Sequence, residues 1–192
     1  MTVLENREDN PSDAATNFGS IRQLGYLVEN IESAVELWMD TQFIGPWTII
    51  KNVPLNCVYH GEPSQPIIHI ALAYRGDVQI ELIQQLDREP SPYLRYIERK
   101  QFCLHHTAYL CDDINAAVAK AESAGHNVVC DINMPDGGRY VYTQVDGLGE
   151  DVFIEFLEAT DRMKHMFTAG IVAAENWTGD KQVAVFDFST KR

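Results

Sequence analysis

Two carboxylates stand where a carboxylate is costly. Glu81 is at the centre of V-Q-I-E-L-I-Q, residues 78–84, and Glu155 at the centre of V-F-I-E-F-L, residues 152–157. Both runs otherwise read as buried strands. Taking an ionised carboxylate out of water is strongly destabilising unless a cation or hydrogen-bond donors compensate it. Two strands with the same liability point to one shared solution, and a metal ion is the candidate. The residues that could complete its shell are His106 and Gln23, which occupy matching places upstream of the two strands. One imidazole nitrogen and three oxygens form a mixed set that suits Zn²⁺, Ni²⁺, Co²⁺, Mn²⁺ or Fe²⁺, with positions left for water or substrate. Spacing alone does not choose among these ions.

The elements that must position these groups come as a repeat. Residues 21–28 are strand-like, Asn30 caps a helix from Ile31, and the apolar spacing of Ile31, Ala34, Val35 and Trp38 is helical. Extended stretches follow at 47–51 and 67–74, and then the strand of Glu81. Between them lies an irregular stretch, 51–66, with Pro54, Gly61, Pro63 and Pro66. The order restarts at L-H-H-T-A-Y-L-C, residues 104–111, with a capped helix ended by Gly125 and three further strands. Q-L-G-Y-L-V-E-N-I-E-S-A-V from Gln23 lies over H-T-A-Y-L-C-D-D-I-N-A-A-V from His106, so Tyr26 falls on Tyr109, Ile31 on Ile114 and Val35 on Val118. The last strands align Ile80 with Ile154 and Glu81 with Glu155. This is a tandem repeat of two βαβββ modules.

The expected organisation is a flexible leader over residues 1–18, a first module over 19–88, a connecting helix over 89–102, a second module over 103–159, and a helix with a strand-like tail over 160–192. The fold class is α+β: two modules form a curved mixed sheet around a central cavity, with a C-terminal helical extension. Met163, Phe167, Ile171 and Ala174 make one stripe on the extension, which could pack on the core or on another subunit.

Strand periodicity sorts the faces. Leu24, Tyr26 and Val28 should meet a helix, and Gln23, Gly25 and Leu27 the other side. His106, Ala108 and Leu110 likewise turn away from the helix that Thr107, Tyr109 and Cys111 meet. Glu81 and Glu155 point opposite to Ile80, Leu82, Ile154 and Phe156. All four marked residues therefore line one concave surface, where Gly25 and Ala108 leave room for an ion and a ligand. His105 is expected to face the helix layer as a structural residue, and His69 to offer at most an extra acid or base. Trp47, Tyr59 and Tyr74 read as core.

Composition narrows the function. A net charge of −13 opposes binding to nucleic acid or anionic membrane, which need clustered Lys and Arg. The apolar runs fall far short of the roughly 18–20 residues of a membrane span, and the polar, acidic start reads as neither signal peptide nor transit sequence. Cys57, Cys103, Cys111 and Cys130 show no CxxC spacing and are expected as free, buried thiols of a reducing cytoplasm.

With its paired βαβββ modules, the motif L-H-H-T-A-Y-L-C-D-D-I and the strand ends I-E-L-I and I-E-F-L, residues 21–158 resemble the vicinal oxygen chelate superfamily, in particular its glyoxalase I-like and methylmalonyl-CoA epimerase-like members. The resemblance places metal ligands at Gln23, Glu81, His106 and Glu155, and a catalytic base at Glu155 or Glu81, with Glu155 preferred. It implies a lyase, isomerase or epimerase that removes a proton beside a carbonyl and stabilises the enolate on a divalent ion, acting on a small carbonyl or thioester substrate. A homodimer is expected. The same fold also hosts metal-free binding proteins and dioxygenases, so sequestration of a small molecule is the alternative reading. Extradiol dioxygenases use two His and one carboxylate, and the single His at these positions argues against that branch.

Overall fold

The computed structural model describes residues 18–134, 137–147 and 152–190. The first half of the chain runs β1 (Ile21–Leu27), α1 (Ile31–Gln42), β2 (Trp47–Pro54), β3 (Asn56–Tyr59), β4 (Glu62–Ser64), β5 (Ile67–Arg75) and β6 (Val78–Gln85). A short α2 (Leu94–Glu98) links it to β7 (Leu104–Cys111), α3 (Ile114–Ser123), β8 (His126–Asn133), β9 (Arg139–Val145) and β10 (Phe153–Glu158). The chain continues through α4 (Asp161–Glu175) and β11 (Val183–Asp187) to a 3-10 turn at Phe188–Thr190. The expected leader lies outside the described residues except for Phe18, whose ring packs against Tyr109 and Phe156.

Local chemistry starts the helices. The Asn30 side chain accepts from the Ser33 amide at 2.9 Å, and in the second half Asp113 accepts from the Ala116 amide at 2.9 Å. These are equivalent caps on equivalent helices. α1 buries Ile31, Val35 and Met39, and α3 buries Ile114, Val118 and Ala121, spacings that put one apolar stripe on each helix. Under α1 lie Ala71, Ala73, Ile80 and Leu82; under α3 lie Val141 and Phe156. The two halves therefore use the same packing twice.

All eleven strands among the described residues join one sheet, in the order β11-β2-β5-β6-β1-β7-β10-β9-β8-β3-β4. The halves meet where β1 and β7 pair antiparallel, and each of these central strands pairs parallel with the last strand of its own half. The first and last strands of both halves, which carry the marked residues, are thus side by side.

Several expectations are corrected. The stretch 51–66 is not irregular: β2 continues to Pro54, and β3 and β4 form a hairpin. Its two-residue turn, His60-Gly61, has φ of 49° and 85°, the paired positive values that a tight hairpin requires. Only Leu55 separates β2 from β3, yet β3 pairs with β8, the far edge of the second half. The sheet must curl until its two ends nearly meet. Val53, Leu55, Cys57 and Ile68 then pack with Val129, Cys130, Ile132 and Tyr142 in one inner cluster. The expected connecting helix over 89–102 is helical only over Leu94–Glu98, because Pro90 and Pro92 interrupt the stretch before it. Cys57, Cys111 and Cys130 are free and buried, but Cys103 is free and exposed. The C-terminal stripe packs on its own core: Met163 and Phe167 bury against Tyr74, with Ile171 and Ala174 beside them.

Candidate metal centre

The strand registers lay the marked residues out in two adjacent rows. Across one row stand Gln79, Gln23, Ala108, Glu155 and Tyr142; across the next stand Leu72, Glu81, Gly25, His106 and Phe153. In each row a small residue sits between two of the marked groups. The expected role of Gly25 needs refining. A Cβ there would fall inside the His106 imidazole, so the space left by glycine is filled by that ring itself.

His106 Nε2 is the centre of the cluster. It lies 3.1 Å from Glu155 Oε2, 3.2 Å from Gln23 Oε1 and 3.4 Å from Glu81 Oε2. The ligand atoms of Glu81, His106 and Glu155 are all within 4.8 Å of one another. Three oxygens around one nitrogen cannot be satisfied by a neutral ring, which offers either one N–H or a lone pair. The arrangement requires positive charge. A zinc-like ion with bonds of about 2.0–2.2 Å sets neighbouring ligand atoms roughly 2.9–3.5 Å apart, and the three observed separations fall in that range. The donor set fits a divalent ion.

Without an ion, a proton serves. Burial opposes a charged His106, but the charges and hydrogen bonds of Glu155 and Glu81 outweigh it and push its pKa up to about 9. Burial, only partly offset by His106, raises Glu155 above the usual carboxylate range. Glu155 is 3% exposed, whereas Glu81 is half-buried and faces the cavity more openly.

Neighbours that sequence reasoning missed hold these groups in place. The Gln23 amide donates to Gln79 Oε1 at 2.7 Å, which turns the Gln23 oxygen toward His106. Gln79 in turn donates to the Tyr74 hydroxyl at 2.5 Å. Tyr142 stands opposite Glu155 in the β10–β9 pairing and favours its charged form, and its hydroxyl lies 3.1 Å from that of Tyr93. Burial, with Glu155 nearby, keeps both phenols far from ionising. Gln79 could have been found as a second polar residue on the inward face of the Glu81 strand; nothing in sequence singles out Tyr142.

His105 does not face the helix layer. The pairing of β1 with β7 slips between Gly25/His106 and Tyr26/Leu104, which makes His105 the extra residue of a β-bulge. Its ring turns inward, stacked on Phe153 and edge-on to Tyr96, with Nδ1 3.0 Å from His106 Nδ1. Burial and the adjacent His106 hold its pKa well below the usual histidine value. His69 does not join the cluster; its Nδ1 accepts from the Asn52 amide at 3.0 Å. Trp47 is buried beneath α1, Tyr59 packs at the edge of the inner cluster, and Tyr74 packs against Phe167.

The cluster forms one wall of a cavity of about 160 Å³. Gln23, Gln79, Glu81 and Glu155 supply its polar wall, Ile50, Val53, Ile70, Leu72 and Leu157 its apolar sides, and Thr160, Arg162, Met163 and Met166 a side contributed by α4 and its cap. Both halves of a single chain build it.

Comparison with known proteins agrees with the fold. A model of the Glyoxalase/Bleomycin resistance protein/Dioxygenase superfamily matches residues 22–143, and the chain belongs to this group, the vicinal oxygen chelate superfamily. The match spans Gln23, Glu81 and His106 and ends before the strand of Glu155. No curated protein matches significantly. Among solved structures, a hypothetical protein from Bacillus halodurans is 17% identical, with a TM-score of 0.54 over 74% of this chain and 95% of its own. The methylmalonyl-CoA epimerase of Mycobacterium tuberculosis is 18% identical, with a TM-score of 0.52 over 76% and 91%. A Streptomyces coelicolor methylmalonyl-CoA epimerase variant, solved with 2-nitronate-propionyl-CoA, is 14% identical, with a TM-score of 0.51 over 76% and 97%. At these identities the likeness shows the shared fold.

Proposed function

We propose that this protein is a metal-dependent enzyme of the glyoxalase type, a lyase, isomerase or epimerase, that removes a proton beside a carbonyl. Gln23, Glu81, His106 and Glu155 hold the divalent ion. The observation that carries this reading is the set of three side-chain oxygens gathered 3.1–3.4 Å from one buried imidazole nitrogen on a cavity wall. An ion bound there supplies a Lewis acid for the substrate's carbonyl oxygen and offsets the negative charge that builds as the neighbouring C–H is lost.

The chain's own residues do the rest. Glu155 is the preferred base: burial raises its proton affinity, a bound ion's charge would lower it, and the balance of the two sets its working pKa, with Tyr142 standing opposite it in the β10–β9 pairing. Glu81 comes from β6, across the paired β1 and β7 from Glu155, which supports a role for it toward the other face of a substrate carbon. A proton returned to that face gives epimerisation; one returned to the neighbouring carbon gives isomerisation. The cavity is close in size to the ~150 Å³ that holds a benzene-sized guest. A small carbonyl compound with an apolar body fits it, and so does the acyl end of a thioester such as those of the epimerases that share the fold. The apolar sides also support the second reading, a binding protein that takes up an apolar compound without metal.

The deciding experiment is the metal content of protein purified without added metal and without a metal-binding tag. About one Zn²⁺, Ni²⁺, Co²⁺, Mn²⁺ or Fe²⁺ per chain, lost in His106→Ala and Glu155→Ala, is expected. No metal, and none taken up on titration, sinks the enzyme mechanism and leaves the binding-protein reading.

A further inference from the structure

We propose that His105 decides which nitrogen of His106 faces the site, and so acts as a positioning residue for a bound metal ion. The proposal rests on the metal reading above. Its logic starts at the Pro92 carbonyl, which lies 3.1 Å from His105 Nε2 and can only accept. The hydrogen of His105 is therefore on Nε2. His105 is 2% exposed and ringed by Tyr93, Tyr96, Tyr142 and Phe153, with the Arg95 guanidinium close by over Tyr96 and Phe153. Burial in such a shell, beside the Arg95 charge, disfavours a second proton on the ring. A neutral imidazole carries one N–H, so His105 Nδ1 is an acceptor. The 3.0 Å contact between the two Nδ1 atoms then requires the hydrogen on His106 Nδ1.

That choice makes Nε2 the nitrogen that exchanges its proton for an ion, so that its lone pair is free for coordination among Gln23, Glu81 and Glu155. The opposite tautomer would spend Nε2–H on one carboxylate and close the site to an ion. Outer partners that fix a ligand ring in this way are typically worth roughly 10–100-fold in metal affinity. The device depends on the β-bulge. Regular pairing would send His105 to the opposite side of the sheet from His106.

Two measurements test it. In ¹⁵N-labelled protein, with or without Zn²⁺, the one-bond N–H coupling should place the proton on His106 Nδ1. A coupling across the hydrogen bond should connect this nitrogen to His105 Nδ1. A proton on His105 Nδ1 overturns the proposal. Zn²⁺ affinity is then measured by competition with a chromophoric chelator. His105→Phe keeps the stacked ring but removes the acceptor, and should weaken binding roughly 10–100-fold. His105→Asn sets an amide oxygen near the lost Nδ1 and should recover most of the affinity. Unchanged affinity in His105→Phe, or equal loss in both variants, overturns the positioning role. If the native protein itself takes up no Zn²⁺, the metal reading has failed, and any role of His105 toward a metal goes with it. The NMR assignment tells that outcome apart from a wrong tautomer.

Discussion

Gly25 shows how tightly the centre is built at the scale of single residues. A methyl group at this position would overlap the His106 ring, which is 1% exposed and would have to shift away from its three oxygen partners to admit it. Gly25→Ala should therefore cost about 1–3 kcal/mol in urea denaturation and sharply lower Zn²⁺ affinity; an alanine variant that binds Zn²⁺ normally would contradict the packing described. The same ring makes the metal-free protein pH-sensitive. Its pKa rises from an ordinary 6.5 to about 9 in the fold, so its proton stabilises the native state fully below pH 6.5. That contribution is lost as pH rises through about 9. Glu155, also raised, acts with the same sign at lower pH. Stability of the metal-free protein should fall between pH 6.5 and 9.5, and Glu155→Gln, which removes the leading charge partner, should flatten the slope. A slope already flat in the native sequence would count against a protonated His106. At this scale Gln23, Glu81, His106 and Glu155 were legible because a repeat set them in register. His105 was not, because alternation along a strand assumes regular pairing and a bulge breaks it.

Helices repeat the lesson in pairs. Asn30 and Asp113 make the same cap at the same point of each half, so Asn30→Ala and Asp113→Ala should each cost about 1 kcal/mol. Thermal or chemical unfolding should show two similar losses; a marked difference would mean that the halves are not energetic equivalents. The extension behaves differently, because α4 buries Met163 and Phe167 against Tyr74 and also furnishes one side of the cavity. It lies beyond the matched residues 22–143, so this side of the cavity comes from outside the matched family region. The helix was readable from its apolar stripe, but its docking place was not. An apolar stripe states that something must cover it and leaves open what does.

One continuous sheet ties the whole molecule together. β1 pairs with β7 at its middle, and the β3-β4 hairpin carries residues of the first half onto the far edge of the second. The inner cluster draws on both halves. Equilibrium denaturation should therefore be a single transition, coincident by near- and far-ultraviolet circular dichroism; two separated transitions would show that the halves fold independently. The hairpin also explains why the stretch 51–66 resisted reading. Its prolines and glycine marked breaks, and its partner strand lies some seventy residues away (Cys57 pairs with Ile132).

Local sequence determined the helices and most strands, the twofold pattern, the burial of Glu81 and Glu155 and the face on which the four marked residues lie. These follow from periodicity, capping and the cost of burying charge, which act between near neighbours. Only the tertiary structure decided that Glu81, His106 and Glu155 converge, that Gly25 makes room for an imidazole, that His105 turns inward, and that α4 walls the cavity. Each of these depends on strand register and sheet curvature. Both are set by contacts between residues far apart in the chain.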